Sequence, residues 1–443
     1  MKLQDNEIRD VIKCQNLKNL DHECLWHPFT QMKEYEAEDP LIIESGEGNW
    51  LIDIEGKKYL DGVSSLWVTV HGHRKKELDE ALKKQIDKIA HSTLLGLSNT
   101  PALLLAEALL KIVPQNLKKV FYSDSGSTAV EIALKIAYQY FQNKPETQKK
   151  TQFVTLENAY HGDTIGSVSV GGIDLFHSVY KQLLFQSYKI KNFDLVWAEN
   201  LLKEKAQEIA AVFIEPLIQG AAGMLLQPPG FLEKLRKLTQ KYGVLLIVDE
   251  VATGFGRTGK MFACEHQQVQ PDLMCVAKGL TGGYLPLAAT LATPEIYEGF
   301  YTDYVQLKTF FHGHTYTGNP LACAVALANL EIFKKEKTIE ALQPKIKLFQ
   351  ELLADFPNHP HIKEVRQMGL MIGVELIKDK KNNQEYELAE RIGNRVILQA
   401  RKKGVVIRPL GSVIVLMPPL SITEEEIHLL VKVLKESIDE VCG

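Results

Sequence analysis

An apolar run that ends abruptly in two carboxylates constrains this chain more than any other feature. Val244 to Val248 leads directly into Asp249 and Glu250. A strand covered on both faces reads this way when it delivers charge to the carboxyl edge of a parallel sheet. After a Pro271-Asp272 break, a second short run, Leu273 to Ala277, ends in Lys278 and Gly279. Two such strands side by side bring an acid and an amine to one edge, where open α/β sheets bind their ligands. A lysine at the end of an apolar strand is partly desolvated, which disfavours its charged form and leaves a nucleophilic amine. A lone lysine at a strand end is usually solvated surface. The partner acid and the glycines that follow (Gly279, Gly282, Gly283) set this one apart.

The amine suits a Schiff base, and the acid suits a protonated ring nitrogen, a combination that describes a pyridoxal phosphate site. Two other motifs overlap the stretch. Gly254, Gly256 and Gly259 spell a dinucleotide fingerprint, and Gly254 to Lys260 nearly spells a triphosphate loop. In the second, Met261 stands where a hydroxyl should hold magnesium. In the first, Val251-Ala252-Thr253 intervenes after the strand and no strong helix follows, so nucleotide binding is set aside.

Strands alternate with helices through the middle of the chain. Strand Lys119 to Ser123 enters Asp124-Ser125-Gly126-Ser127-Thr128 and a helix from Ala129 to Phe141, with Thr128 and Glu131 spaced as a capping box. A small-residue loop opening a helix exposes N–H groups and the positive dipole end, a ready seat for a phosphate. Strand Gln152 to Leu156 precedes Tyr160-His161-Gly162-Asp163, and strand Ala211 to Ile214 ends in Glu215. Helix Pro229 to Tyr242 then returns to the strand bearing Asp249. The pattern predicts an α/β fold with a mostly parallel sheet and helices on both faces. Upstream, residues 1 to about 20 read as a loosely packed or helical leader. Trp26 to Gln31 cannot be a regular helix, and residues 41 to 61 read as a small antiparallel meander. His71 and His73 would share one side of a strand, where packing or hydrogen bonding is favoured over metal. Past the loop Phe310 to Pro320, a helix runs from Leu321 toward Lys335. The tail then turns α+β: strands near 362–365, 371–376, 405–407 and 413–417, with helices near 388–403 and 424–441. The expected organisation is an N-terminal segment (1–70) packed with a small C-terminal domain (321–443), around a large cofactor-binding domain (71–320).

The chain has 443 residues, 45% hydrophobic and 24% charged, with a formal net charge of -4. That is an ordinary globular composition and argues against nucleic acid or a membrane surface as the main partner. The N-terminus has no secretory pattern, and no apolar run approaches membrane-spanning length. Six scattered cysteines show no metal or disulfide spacing, so free thiols in the cytoplasm are expected, with no metal.

With these residues in hand, the chain resembles the class III, fold-type I aminotransferases that use pyridoxal phosphate. The match is carried by Asp249-Glu250 before Gly254-Phe255-Gly256-Arg257-Thr258-Gly259, Lys278 in its Ala-Lys-Gly setting, Asp124 to Ser127, and Tyr160 to Asp163. It is most similar to the biotin-pathway branch that aminates 8-amino-7-oxononanoate. Trp26 to Thr30, Tyr160 to Thr164, Phe262 to His266 and Arg408 to Gly411 carry that likeness, from about residue 24 to the C-terminus. The resemblance implies a seven-stranded sheet and a homodimer. It implies that Lys278 carries the cofactor and moves the substrate proton, that Asp249 pairs with the ring nitrogen, and that Tyr160 covers the ring. Gly126 and Ser127 would hold the phosphate, with His314 and Thr315 from across a dimer interface. Phe29, Leu66, Trp67, Gly313 and Arg408 would line the substrate site, Arg408 taking the carboxylate. Many members of the branch have aromatic residues where this chain has Phe29 (a tyrosine there), Leu66 and Val415. The implied donor is S-adenosylmethionine, with L-lysine as the alternative. Another class III ω-aminotransferase (ornithine, 4-aminobutyrate or a diamine) and a non-catalytic binding protein are the rival readings.

Overall fold

The computed structural model describes residues 2–173 and 178–443. A seven-stranded sheet forms its centre, with strands numbered here within that sheet: β1 (Lys119–Ser123), β2 (Gln152–Leu156), β3 (Ser187–Ile190), β4 (Ile209–Ile214), β5 (Leu245–Asp249), β6 (Leu273–Val276) and β7 (Ala288–Ala292). Their spatial order is β1-β7-β6-β5-β4-β2-β3. From β6 to β3 the neighbours are parallel, whereas β7 runs antiparallel to both β6 and β1. The reversal follows from the connection. A parallel neighbour needs a long crossover, and only a short loop with one 3₁₀ turn (Lys278–Thr281) separates β6 from β7.

Every residue of β4, β6 and β7 is buried, as expected of strands covered on both faces. Alternate residues of β5 feed two separate cores: Leu246 and Val248 one, Ile247 the other. The second core is closed by the Gly126–Gln142 helix through Ala129, Ile132, Ala133, Ile136 and Tyr140. The Phe231–Lys241 helix lies on the opposite face with Leu232 and Leu235.

Of two four-stranded sheets outside this centre, one joins the two ends of the chain and the other is built from C-terminal residues alone. The meander Ile43–Glu47, Trp50–Asp53, Lys58–Asp61 gains a parallel partner in Val405–Val406. The carboxylate of Glu426, near the start of the Glu424–Cys442 helix, accepts from Asn49 Nδ2 at 2.6 Å and Trp50 Nε1 at 2.7 Å. The other sheet joins Ile362–Met368, Met371–Leu376, Val413–Leu416 and Arg408–Leu410, all antiparallel.

Several local expectations need correction. The helix after β1 starts at Gly126, and its capping box joins Ser125 to Thr128. Glu131 instead accepts from the backbone N–H of Gly166 at 2.6 Å, holding the loop after Tyr160 against the helix. A helix at Thr338–Leu353 escapes the sequence pattern because Pro344 sits inside it. The expected 388–403 helix is broken at Arg391, where φ is 45°, and runs only over Ile392–Lys402. The leader forms the helix Lys2–Cys24, and Met1 lies outside the described residues. His71 and His73 do not act together: His71 packs on Phe333 with ring centroids 4.9 Å apart, while His73 Nε2 lies 3.0 Å from Asp61 Oδ2.

Candidate active site

The carboxyl ends of β5 and β6 open into a cavity of about 440 Å³. Asp249 is in register with Cys275, so Lys278 follows just past the neighbouring strand's end. Both line the cavity, together with Trp67, Tyr160 and the Asp124–Ser127 turn. Burial lowers the Lys278 pKa, while the carboxylates of Asp249 and Glu215 pull it the other way. Among the described residues the amine has no hydrogen-bond partner; its neighbour is the Trp67 ring, whose centroid is 4.9 Å from Nζ. Lys278 also has φ of 46°, a left-handed backbone for a non-glycine residue, as often found where function holds a side chain in place.

Asp249 is held from two sides. Its Oδ2 lies 2.7 Å from His161 Nδ1, and its Oδ1 accepts the Val251 N–H at 3.0 Å. Glu215 sits behind, accepting N–H groups of Tyr160 and Gly220 at 3.0 Å each, its own pKa pushed up to about 7 by burial. Tyr160 donates its hydroxyl to Asp163 at 2.7 Å.

At the other end of the cavity stands the N-terminus of the Gly126–Gln142 helix. The Ser127 hydroxyl is committed to Thr164 and Ser167. Any hold on an anion therefore comes from the Gly126 and Ser127 backbone N–H groups, which point along the helix dipole and have no intrahelical acceptor. A Cβ at Gly126 would stand 2.5 Å from Val251 Cγ1, so only glycine lets the helix end approach the loop after Asp249. An amine, a buried carboxylate and a helix N-terminus facing one cavity are the three contacts that an aromatic aldehyde phosphate with a basic ring nitrogen requires. Pyridoxal phosphate fits.

The remaining predicted residues fall elsewhere. Phe29, Leu66 and Arg408 line an adjoining cavity of about 420 Å³. Burial lowers the Arg408 pKa, and its guanidinium lies close enough to Tyr160 for their charges to interact. Leu66 and Trp67 belong to Ser64–Trp67, where four successive non-glycine residues have φ of 52°, 46°, 72° and 69°. Such a left-handed turn costs about 1–2 kcal/mol per residue, and it turns Leu66 toward one cavity and Trp67 toward the other. Gly313, His314 and Thr315 do not line the Lys278 cavity of their own chain. His314 Nδ1 instead lies 2.7 Å from Asp124 Oδ2. His161, Glu215 and Asp163 are the residues that sequence reasoning left without a role. The one available signal was their position beside Tyr160 or at a strand end.

The class III aminotransferase family model matches residues 32–438, and this chain belongs to that family of pyridoxal phosphate enzymes. Among its relatives is the adenosylmethionine-8-amino-7-oxononanoate aminotransferase of Anoxybacillus flavithermus, 55% identical over 94% of this chain and 95% of that protein. The crystal structure of the Methanocaldococcus jannaschii protein of the same name superposes with a TM-score of 0.95 at 50% identity, covering 96% of this chain and 99% of that one. An omega transaminase from Pseudomonas jessenii shares the fold at 30% identity and a TM-score of 0.91, over 96% and 98% of the two chains.

Proposed function

We propose that this chain transfers an amino group from S-adenosylmethionine to 8-amino-7-oxononanoate, forming 7,8-diaminononanoate for biotin synthesis. The observation that carries the reading is the cavity pairing Lys278 with Asp249, with Arg408 in a second cavity close enough to interact with Tyr160, in a chain about half identical to proteins of that name. When bound, pyridoxal phosphate supplies an aldehyde and an electron-withdrawing ring that takes up the electron pair of a breaking C–H bond. Asp249 would hold the ring nitrogen's proton, with its carboxylate fixed by His161. Lys278, its pKa lowered by burial, would move a proton at Nζ in each half-reaction, from the donor's α-carbon to the cofactor in the first and from the cofactor to the acceptor carbon in the second. Tyr160, tied to Asp163, would cover the ring and help keep water out. Arg408 orients the acceptor by its carboxylate through two parallel hydrogen bonds.

L-lysine is the alternative donor, favoured by the absence of aromatic rings at Leu66 and Val415. Mixing the holoenzyme with each amine and following loss of the aldehyde form's absorbance tests the reading. S-adenosylmethionine is expected to convert it and Lys278→Ala to abolish conversion. Conversion by ornithine or 4-aminobutyrate alone would replace the biotin assignment with another ω-aminotransferase. No change with any amine would leave a binding protein.

The same reading takes the working enzyme as a cytoplasmic homodimer divided near residues 70 and 320. Six free thiols suit that compartment. The exposed apolar side chains Leu95, Leu97, Val305, Leu307, Phe311 and Tyr316 offer a surface for the second copy, whose Gly313-His314-Thr315 loop would complete the phosphate and substrate contacts.

A further inference from the structure

Asn329 sits inside the helix Pro320–Lys335 with none of its surface exposed. Asparagine is a poor residue for a helix interior, and a buried amide needs partners to offset the water it has lost. Its partners are two carbonyls that follow Lys278 in the chain. Asn329 Nδ2 donates to Gly279 O at 2.9 Å and to Leu280 O at 3.0 Å. Both acceptors are carbonyls, so the donor end of the amide is the one turned toward them.

Those carbonyls belong to the 3₁₀ turn Lys278–Thr281. The turn closes on itself through Leu280 N–H to Ala277 O at 3.0 Å and Gly282 N–H to Gly279 O at 3.1 Å. Its entry is strained, because Lys278 has φ of 46° and local preference opposes that backbone for lysine. Among the described residues no hydrogen bond holds the amine from its far end. Where Nζ stands is therefore decided at the backbone, and Asn329 fixes two of the peptide planes that follow it. The fit is close: a Cβ at Gly282 would stand 3.1 Å from Asn329 Oδ1.

We propose that Asn329 is a positioning residue for Lys278: its amide holds the turn from which the amine reaches into the cavity. It does not line that cavity and touches no reacting atom. The inference rests on the aminotransferase reading above, and the test separates the two. Pyridoxal phosphate condenses with the lysine: Nζ forms a C=N bond to the aldehyde carbon, and the aldehyde oxygen leaves as water. Pyridoxamine phosphate has an amine in place of the aldehyde and cannot condense, so its binding depends on the phosphate and ring contacts alone. The pair of ligands isolates what the placement of Nζ contributes.

In Asn329→Leu the side chain keeps its branching but donates nothing, and both carbonyls lose their partner. The Kd of the cofactor-free variant for pyridoxal phosphate, read by absorbance titration, is expected to rise about tenfold. Its Kd for pyridoxamine phosphate, read by tryptophan fluorescence, should stay within about threefold of wild type. Should Asn329→Leu not fold, Asn329→Ser keeps one shorter donor, and a rise of about threefold for pyridoxal phosphate alone is expected of it. Equal weakening of both ligands in a folded variant overturns the proposal, because a merely structural role would loosen the whole site. So does an unchanged Kd for pyridoxal phosphate. A wild-type protein that binds neither ligand instead overturns the aminotransferase reading.

Discussion

At the scale of single residues, the site is a set of ionisable groups that burial has pushed from their ordinary behaviour. Glu215 is the clearest case, with a folded pKa of about 7 against a usual 4.5. An acid whose pKa is raised on folding leaves stability untouched below about 4.5 and reduces it as pH rises through 7. In the cofactor-free protein, Glu215→Gln is therefore expected to gain on wild type across that window, by an amount on the order of 3 kcal/mol at its upper bound. Thermal denaturation from pH 4.5 to 8 measures this; a constant difference would mean that Glu215 is not desolvated as described. Arg408 carries a separate expectation. Arg408→Lys keeps the charge but not the planar fork, so the acceptor KM should rise about ten- to hundredfold with kcat nearly unchanged, read from steady-state rates. Asp249 and Lys278 are legible in the sequence because each ends its own apolar run. His161 and Arg257 are not, because their partners lie 88 (Asp249) and 193 (Ser64) positions away.

Among the elements, the start of the Gly126–Gln142 helix does the most to shape the site. It is fixed by the Ser125 cap, and it approaches Val251 so closely that a methyl group would overlap at 2.5 Å. Gly126→Ala is expected to destabilise by about 1–3 kcal/mol through overpacking and to weaken pyridoxal phosphate binding about tenfold. At saturating cofactor the acceptor KM should hold. Absorbance titration and thermal denaturation check the two halves. The strand–turn–helix sequence makes this helix N-terminus legible. Its capping pair is misassigned from sequence because Thr128 and Glu131 have the right spacing, while Ser125 and Thr128 have the right geometry. The Thr338–Leu353 helix is hidden for a different reason: Pro344 interrupts a pattern that packing nevertheless sustains.

For the whole molecule, the proposed second copy makes its own prediction about the site. Thr315 is exposed and lines no cavity with its own Lys278. If the phosphate contacts come from a partner, Thr315→Ala should weaken cofactor binding several-fold. Dilution below the dimer dissociation constant should release cofactor from wild type as well. Sedimentation and cofactor fluorescence on one dilution series check both, and cofactor retention by a dilute monomer would rule the arrangement out.

The sequence by itself determines the α/β class, the strand that ends in Asp249, the lysine at the end of the next apolar run and the existence, though not the start, of the helix after β1. Each of these is a local matter of apolar runs, caps and strand ends. Only the tertiary structure decides that β7 runs antiparallel, that His161 braces Asp249, and that Ser64–Trp67 turns left-handed beneath a buried arginine. Those features depend on contacts between distant segments. Local preference is silent about the first two and opposes the third, so packing and hydrogen bonding decide them once the chain has closed.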